Sequence, residues 1–102
     1  MKDSIRTKLE SLRDRFGELE ALLSDAEIIS DQNKFRELSK EYAEIEELVQ
    51  SFNRFKTVSN DLNEAKEMQK DADPEIRAMA EDEISTTNEE LDSLELGLQK
   101  LL

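Results

Sequence analysis

The chain has 102 residues, of which 26 are acidic and 14 basic, so its formal net charge is −12, and it contains no Cys and no His. This length argues for one domain at most. Without Cys there are no disulfides, thiol nucleophiles or thiolate metal sites. Without His the usual general base near neutral pH and the commonest nitrogen ligand for metals are missing. Most catalytic arrangements are therefore excluded, and the acid excess disfavours DNA and RNA as partners.

The composition is typical of long helices. Ala, Glu, Lys, Leu and Arg make up 52 residues, about half of the chain, as in coiled coils. A signal peptide or membrane span would need a continuous apolar run, and the longest such stretches here are pairs. We therefore expect a soluble protein of the cytoplasm with no membrane partner.

The first predicted helix covers residues 4–23, with Ser4 or Asp3 as a plausible N-cap and Gly17 as a weak point in its interior. Its apolar residues are spaced by 4, 3, 4, 3 and 4 positions, which is an unbroken heptad seam. The members of this seam are Ile5, Leu9, Leu12, Phe16, Leu19 and Leu23.

The segment 24–31 interrupts the periodicity and is predicted to connect two helices. It begins and ends with Ser-Asp, and both residue types favour turns and caps. Two interpretations of its apolar pair stay open: one isoleucine plugs the end of the core, or the pair is an exposed contact point. For the second interpretation the predicted partner-contact residues are Asp25, Glu27, Ile28 and Ile29.

The second predicted helix covers residues 31–69, and its seam shifts by a 3, 3 step after Phe52. A break of this kind is expected where one packing partner ends and another takes over. The third predicted helix covers residues 74–102, with Asp73 as the cap, Pro74 at the first helical position and Glu75 at the positive end of the dipole. Its heptad reaches the last residue without a stop signal, so we expect the chain to be a piece of a longer protein.

Short connections make sequential helices antiparallel neighbours. We therefore predict an all-α fold, an antiparallel three-helix bundle of coiled-coil-like hairpins with a long central helix. The three helices are expected to overlap only around residues 42–52. Core positions are predicted for all five aromatic residues, Phe16, Phe35, Tyr42, Phe52 and Phe55.

The sequence offers no catalytic residue, cofactor site or metal site. Its adjacent carboxylates are expected to stay solvated on helix faces, and Asp71-x-Asp73 does not continue as a calcium loop, because Ile76 stands where that loop needs Gly. Residues 58–102 carry a net charge of −9, with thirteen acidic and four basic side chains. Such an acidic end either suits a basic protein surface or only keeps the chain soluble.

Three stretches resemble the N-terminal domain of the bacterial peptide chain release factor 1 family. They are LLSDAEIISD at 22–31, FRELSKEYA at 35–43 and DPEIRAMAEDEI at 73–84, and the resemblance extends over essentially all 102 residues. Members of this family terminate translation at UAA and UAG, reading the codon with a Pro-x-Thr-type motif and promoting hydrolysis of peptidyl-tRNA through Gly-Gly-Gln. Neither motif occurs here, and the only glycines, Gly17 and Gly97, are not adjacent.

The resemblance therefore implies a non-catalytic interaction domain. Its implied partners are the ribosome, through the stalk-base protein and nearby ribosomal RNA of the GTPase-associated centre, and the class-II release factor GTPase that recycles these factors. An alternative interpretation is a self-associating coiled-coil scaffold unrelated to translation, since heptad seams also favour association. A weak homodimer joined through thin hairpin tips is compatible with the first interpretation.

Overall fold

The computed structural model describes all residues, 1–102, and the chain is all-α with a long central helix, as predicted. The helices are α1 (Asp3–Leu23), α2 (Ala26–Ser30), α3 (Gln32–Met68) and α4 (Pro74–Leu101). The three predicted helices are present with ends within one residue of the predicted positions. The difference is α2, a single turn inside the segment that we expected to be a plain connection. No helix is both long and apolar enough to cross a membrane.

The chain divides into two compact units. Unit 1 is Met1–Gln50 and unit 2 is Ser51–Leu102, so that α3 contributes its first half to one unit and its second half to the other. The boundary lies beside Phe52, where the heptad spacing of α3 shifts. The break in the sequence pattern therefore coincides with the place where α3 changes its surroundings.

Unit 1 is a hairpin of α1 and the first half of α3. The Phe16 and Tyr42 rings stack with their centroids 4.4 Å apart and their planes 20° from parallel. Beside them, the Arg15 guanidinium donates two hydrogen bonds to the Glu41 carboxylate, at 2.9 Å from Nε and 2.8 Å from Nη2. The buried apolar residues of unit 1 are Leu9, Leu19, Leu48 and Val49.

Unit 2 is a hairpin of α4 and the second half of α3. The two helices run antiparallel, since Arg54 pairs with Glu90 at 2.7 Å while residues 61–68 face residues 79–83. Its buried apolar residues are Phe52, Phe55, Val58, Ala65, Ala80 and Leu98. Thr87 is also buried, and its hydroxyl donates to the backbone carbonyl of Glu83 one turn earlier, so that no polar atom is left without a partner there.

The start of α4 forms as the sequence predicts. The Asp73 carboxylate accepts a hydrogen bond of 2.9 Å from the Glu75 amide, and Pro74 is the first helical residue. In the preceding turn the Asp71 side chain accepts from the Asp73 amide at 2.8 Å, and the Arg77 guanidinium donates to the Asp71 and Ala72 carbonyl oxygens. These bonds satisfy backbone groups that a helix end would otherwise leave unpaired.

Two predictions of detail are wrong. The N-cap of α1 is Lys2, with no side-chain hydrogen bond, rather than Ser4 or Asp3, because the helix begins one residue earlier than predicted. Phe35 is not in the core: it is 39% exposed, since it lies in the first turn of α3. The other four aromatic residues are buried or half-buried, as expected.

Candidate interaction surface

The turn between α1 and α3 is held by side-chain caps. The Asp25 carboxylate accepts a hydrogen bond of 2.9 Å from the Glu27 amide and so caps α2, and Asp31 accepts from the Lys34 amide at 3.2 Å and caps the start of α3. Ser24 closes the preceding helix by donating to the Glu20 carbonyl oxygen at 3.0 Å. The two Ser-Asp pairs therefore act as the caps that the sequence predicts, and they define the position of the short helix between them.

The two isoleucines of α2 have different environments. Ile28 is half-buried, and its carbonyl oxygen accepts a hydrogen bond from the Asp31 amide. Ile29 is 52% exposed. The burial of Ile28 is compatible with the first interpretation of this pair and the exposure of Ile29 with the second, and both interpretations stay predictions.

Ile29 lies at one edge of a shallow hollow of about 470 Å³ formed with the first turns of α3. We call this the tip hollow. Its apolar walls are Ile29 and Phe35, and its polar lining is Gln32, Arg36 and Ser39. Two exposed apolar side chains beside a guanidinium and an amide form a patch that can bury hydrophobic area and also hydrogen-bond to a partner.

Arg15 and Glu41, which are not among the residues that line the tip hollow, form an ion pair between α1 and α3. The hydrogen bonds from Arg15 lower the pKa of Glu41, although desolvation opposes the shift, and the same bonds raise the pKa of Arg15. Desolvation raises the pKa of the neighbouring Tyr42 hydroxyl, and the carboxylates of Glu20 and Glu46 add to the shift. Near neutral pH this part of unit 1 therefore keeps a paired ion and an uncharged phenol.

Of the four predicted contact residues, the structure places one in the tip hollow. Ile29 lines it, whereas Asp25 caps α2 and Ile28 is half-buried. Glu27 is exposed on the same short helix. The contact role of all four residues stays a prediction.

Sequence reasoning missed the part of the hollow that α3 contributes: Gln32, Phe35, Arg36 and Ser39. One sequence signal could have predicted the exposure of Phe35. It comes four residues after the capping residue Asp31 and so lies at the start of the helix, where few neighbouring side chains can cover it. The hollow combines exposed apolar side chains with amide, guanidinium and hydroxyl donors, which are groups that can contact a partner.

The chain is a helical domain with an exposed patch, the tip hollow, beside the turn between α1 and α3. The PCRF domain matches residues 12–102, nearly the whole chain. The chain belongs to this family, the peptide chain release factor domain, and the match supports a role of the release-factor type in translation termination, which implies interaction with the ribosome. No solved structure matches the chain.

Proposed function

We propose that the chain is the N-terminal interaction domain of a release factor that terminates translation at UAA and UAG, working in the cytoplasm. The family match over residues 12–102 carries this proposal, and the stretches at 22–31 and 35–43 support the UAA- and UAG-reading type. The domain itself is non-catalytic. The codon-reading and Gly-Gly-Gln motifs belong to other parts of the factor.

The proposed partners are the stalk-base protein and nearby ribosomal RNA, and the class-II release factor GTPase. The tip hollow is the proposed contact surface, because it combines Ile29, Phe35 and Arg36 in one exposed patch held by capped helices. Aromatic and arginine side chains commonly dominate interface energies, and a guanidinium can pair with a carboxylate or a phosphate.

Binding of the chain to ribosomes with and without the stalk-base protein tests this proposal. We expect removal of the stalk-base protein, or the double change Ile29→Ser with Phe35→Ser, to weaken binding by about tenfold or more. Leu96→Ser is the matched control, since Leu96 is 59% exposed in unit 2 and should not matter. Equal binding to both kinds of ribosome, or an equal loss with Leu96→Ser, would contradict the proposed contact.

Weak self-association is a second proposal, favoured by the exposed side chains of Leu96, Leu101 and Leu102 on and beside the last turns of α4. Light scattering over a dilution series measures it. A stable oligomer at low micromolar concentration would favour the coiled-coil scaffold, and a monomer or weak dimer would favour the release-factor domain.

A further inference from the structure

Unit 2 carries a second cleft, at the end of its hairpin near the α3–α4 turn. It has a volume of about 310 Å³ and lies between one stripe of each helix, with Ala65 and Ala80 as its floor. Both alanines are almost fully buried, and their short side chains leave the space open. Met68 and Met79 border it with 48% and 66% of their surface exposed. Methionines in such positions adapt their shape to apolar groups of a partner.

The rim of this cleft is acidic. Asp61, Glu64 and Glu83 complete its lining, and none of the ion pairs described above involves them. We call the cleft with this rim the acidic methionine groove. The basic residues nearby are engaged elsewhere, since Lys70 pairs with Glu67 at 3.2 Å and the Arg77 guanidinium binds carbonyl oxygens of the turn. Lys66 follows Ala65 directly, and because successive residues of a helix lie about 100° apart around its axis, its side chain projects away from the residues of α3 that line the groove.

This combination restricts the occupant. The carboxylates do not form a group that could hold a metal ion, and their charge repels the phosphates of a nucleic acid. An apolar floor between carboxylates on both walls is complementary to an apolar side chain flanked by ammonium or guanidinium groups. A basic amphipathic helix has this arrangement, because its apolar side chains recur at heptad spacing and Lys or Arg residues lie on either side of them.

We propose that the acidic methionine groove docks a basic amphipathic helix of a partner protein. An apolar side chain of that helix enters between Met68 and Met79, and its cations meet Asp61, Glu64 and Glu83. The proposal goes beyond the tip hollow and does not depend on it, because every residue of the groove belongs to unit 2. It also needs no ribosome, so its success or failure is separate from that of the proposed function.

The test measures binding of the whole 102-residue chain to a synthetic Lys/Leu peptide with heptad-spaced Leu, by fluorescence anisotropy. A peptide with Glu in place of every Lys is the control ligand. We expect saturable binding of the Lys/Leu peptide that weakens as salt rises, and no binding of the Glu/Leu peptide. Equal binding of both peptides, or no saturable binding of either, would overturn the proposal.

Variants locate the site. We expect Glu64→Lys with Glu83→Lys to weaken binding about tenfold or more. The matched control, Glu81→Lys with Asp82→Lys, makes the same change in net charge outside the groove lining and should change affinity by less than about threefold. Met79→Ser should weaken binding and Leu96→Ser should not, although both residues are exposed.

Three other results would contradict the proposal. Equal losses in both lysine double variants would show attraction to net charge alone. Saturable binding of a labelled single-stranded RNA to the chain, measured without the peptide and abolished by Met79→Ser, would assign the groove to nucleic acid. Dimerisation of the chain that Met79→Ser abolishes would show that a second copy covers the groove.

Discussion

The two units bury their aromatic residues to different extents. In unit 2, Phe52 and Phe55 are both buried, with 0% and 6% of their surface exposed. In unit 1, Phe16 and Tyr42 are half-buried and stacked on each other, and Phe35 is exposed. Unit 1 adds the two-point Arg15–Glu41 ion pair to its stacked rings. Each unit therefore has an ion pair between its helices, Arg15–Glu41 in unit 1 and Arg54–Glu90 in unit 2, and the units differ in how deeply their aromatic rings are buried.

The units also differ in how their charges are placed. Each contains thirteen acidic residues, but unit 1 has eight basic residues and unit 2 has six. In unit 1, Arg36 lies in the lining of the tip hollow, whereas in unit 2 no cation lines the acidic methionine groove. The two surfaces therefore suit partners of different charge, although the units are hairpins of similar size.

The largest expected effect separates buried from exposed aromatics. Phe52→Ala should lower the free energy of unfolding by about 3–5 kcal/mol, because it removes a fully buried ring. Phe35→Ala should cost less than about 1 kcal/mol, since that ring is already partly in water. Urea titrations of both variants measure the difference. A loss below about 1 kcal/mol for Phe52→Ala would contradict the assigned core.

The next effect compares two helix caps. Asp73→Ala should destabilise by about 1 kcal/mol, because Asp73 caps the 28-residue α4. Asp25→Ala removes the equivalent bond from the five-residue α2 and should affect chiefly that turn. Thermal unfolding measures the global change, and amide exchange of residues 26–30 measures the local one. A larger loss of global stability in Asp25→Ala than in Asp73→Ala would contradict this expectation.

A matched pair of glycines gives a smaller effect of the opposite sign. Gly17 is inside α1 and Gly97 inside α4, both with negative φ, and a Cβ added at either would meet nothing within 4 Å. Each Gly→Ala change should therefore stabilise its helix by about 0.5–1 kcal/mol. Denaturant midpoints of both variants check this. Destabilisation by Gly97→Ala would contradict this expectation and would show that unit 2 does not tolerate a Cβ at position 97.

The smallest effect concerns pH. The Arg15 hydrogen bonds lower the folded-state pKa of Glu41, so their stabilisation is complete above the unfolded value, near pH 4.3, and is lost as the pH falls through the lowered pKa. Glu41→Gln should therefore make stability fall less steeply in acid. The control is Glu44→Gln, which removes an exposed carboxylate of the same helix without touching Arg15. If the free energy of unfolding fell equally steeply with decreasing pH in both variants, the Arg15–Glu41 pair would not contribute to stability.

Much of the fold follows from the local sequence. Heptad spacing predicts the three long helices, and Asp73-Pro74-Glu75 fixes the start of α4, because capping and periodicity depend on neighbouring residues only. The same rules predict the caps at Asp25 and Asp31. The resemblance to release factors, carried by short runs at 22–31, 35–43 and 73–84, agrees with the family match.

Only the tertiary structure decided which seam residues are covered. Phe35, Met68 and Leu101 continue the same heptads as buried residues, yet they lie near helix ends, where fewer neighbouring side chains cover them. The two surfaces arise in the same way: the tip hollow needs α2 beside the start of α3, and the acidic methionine groove needs two stripes from opposed helices. Periodicity fixes the direction in which a side chain points from its own helix, and its burial depends on what the rest of the fold places opposite it.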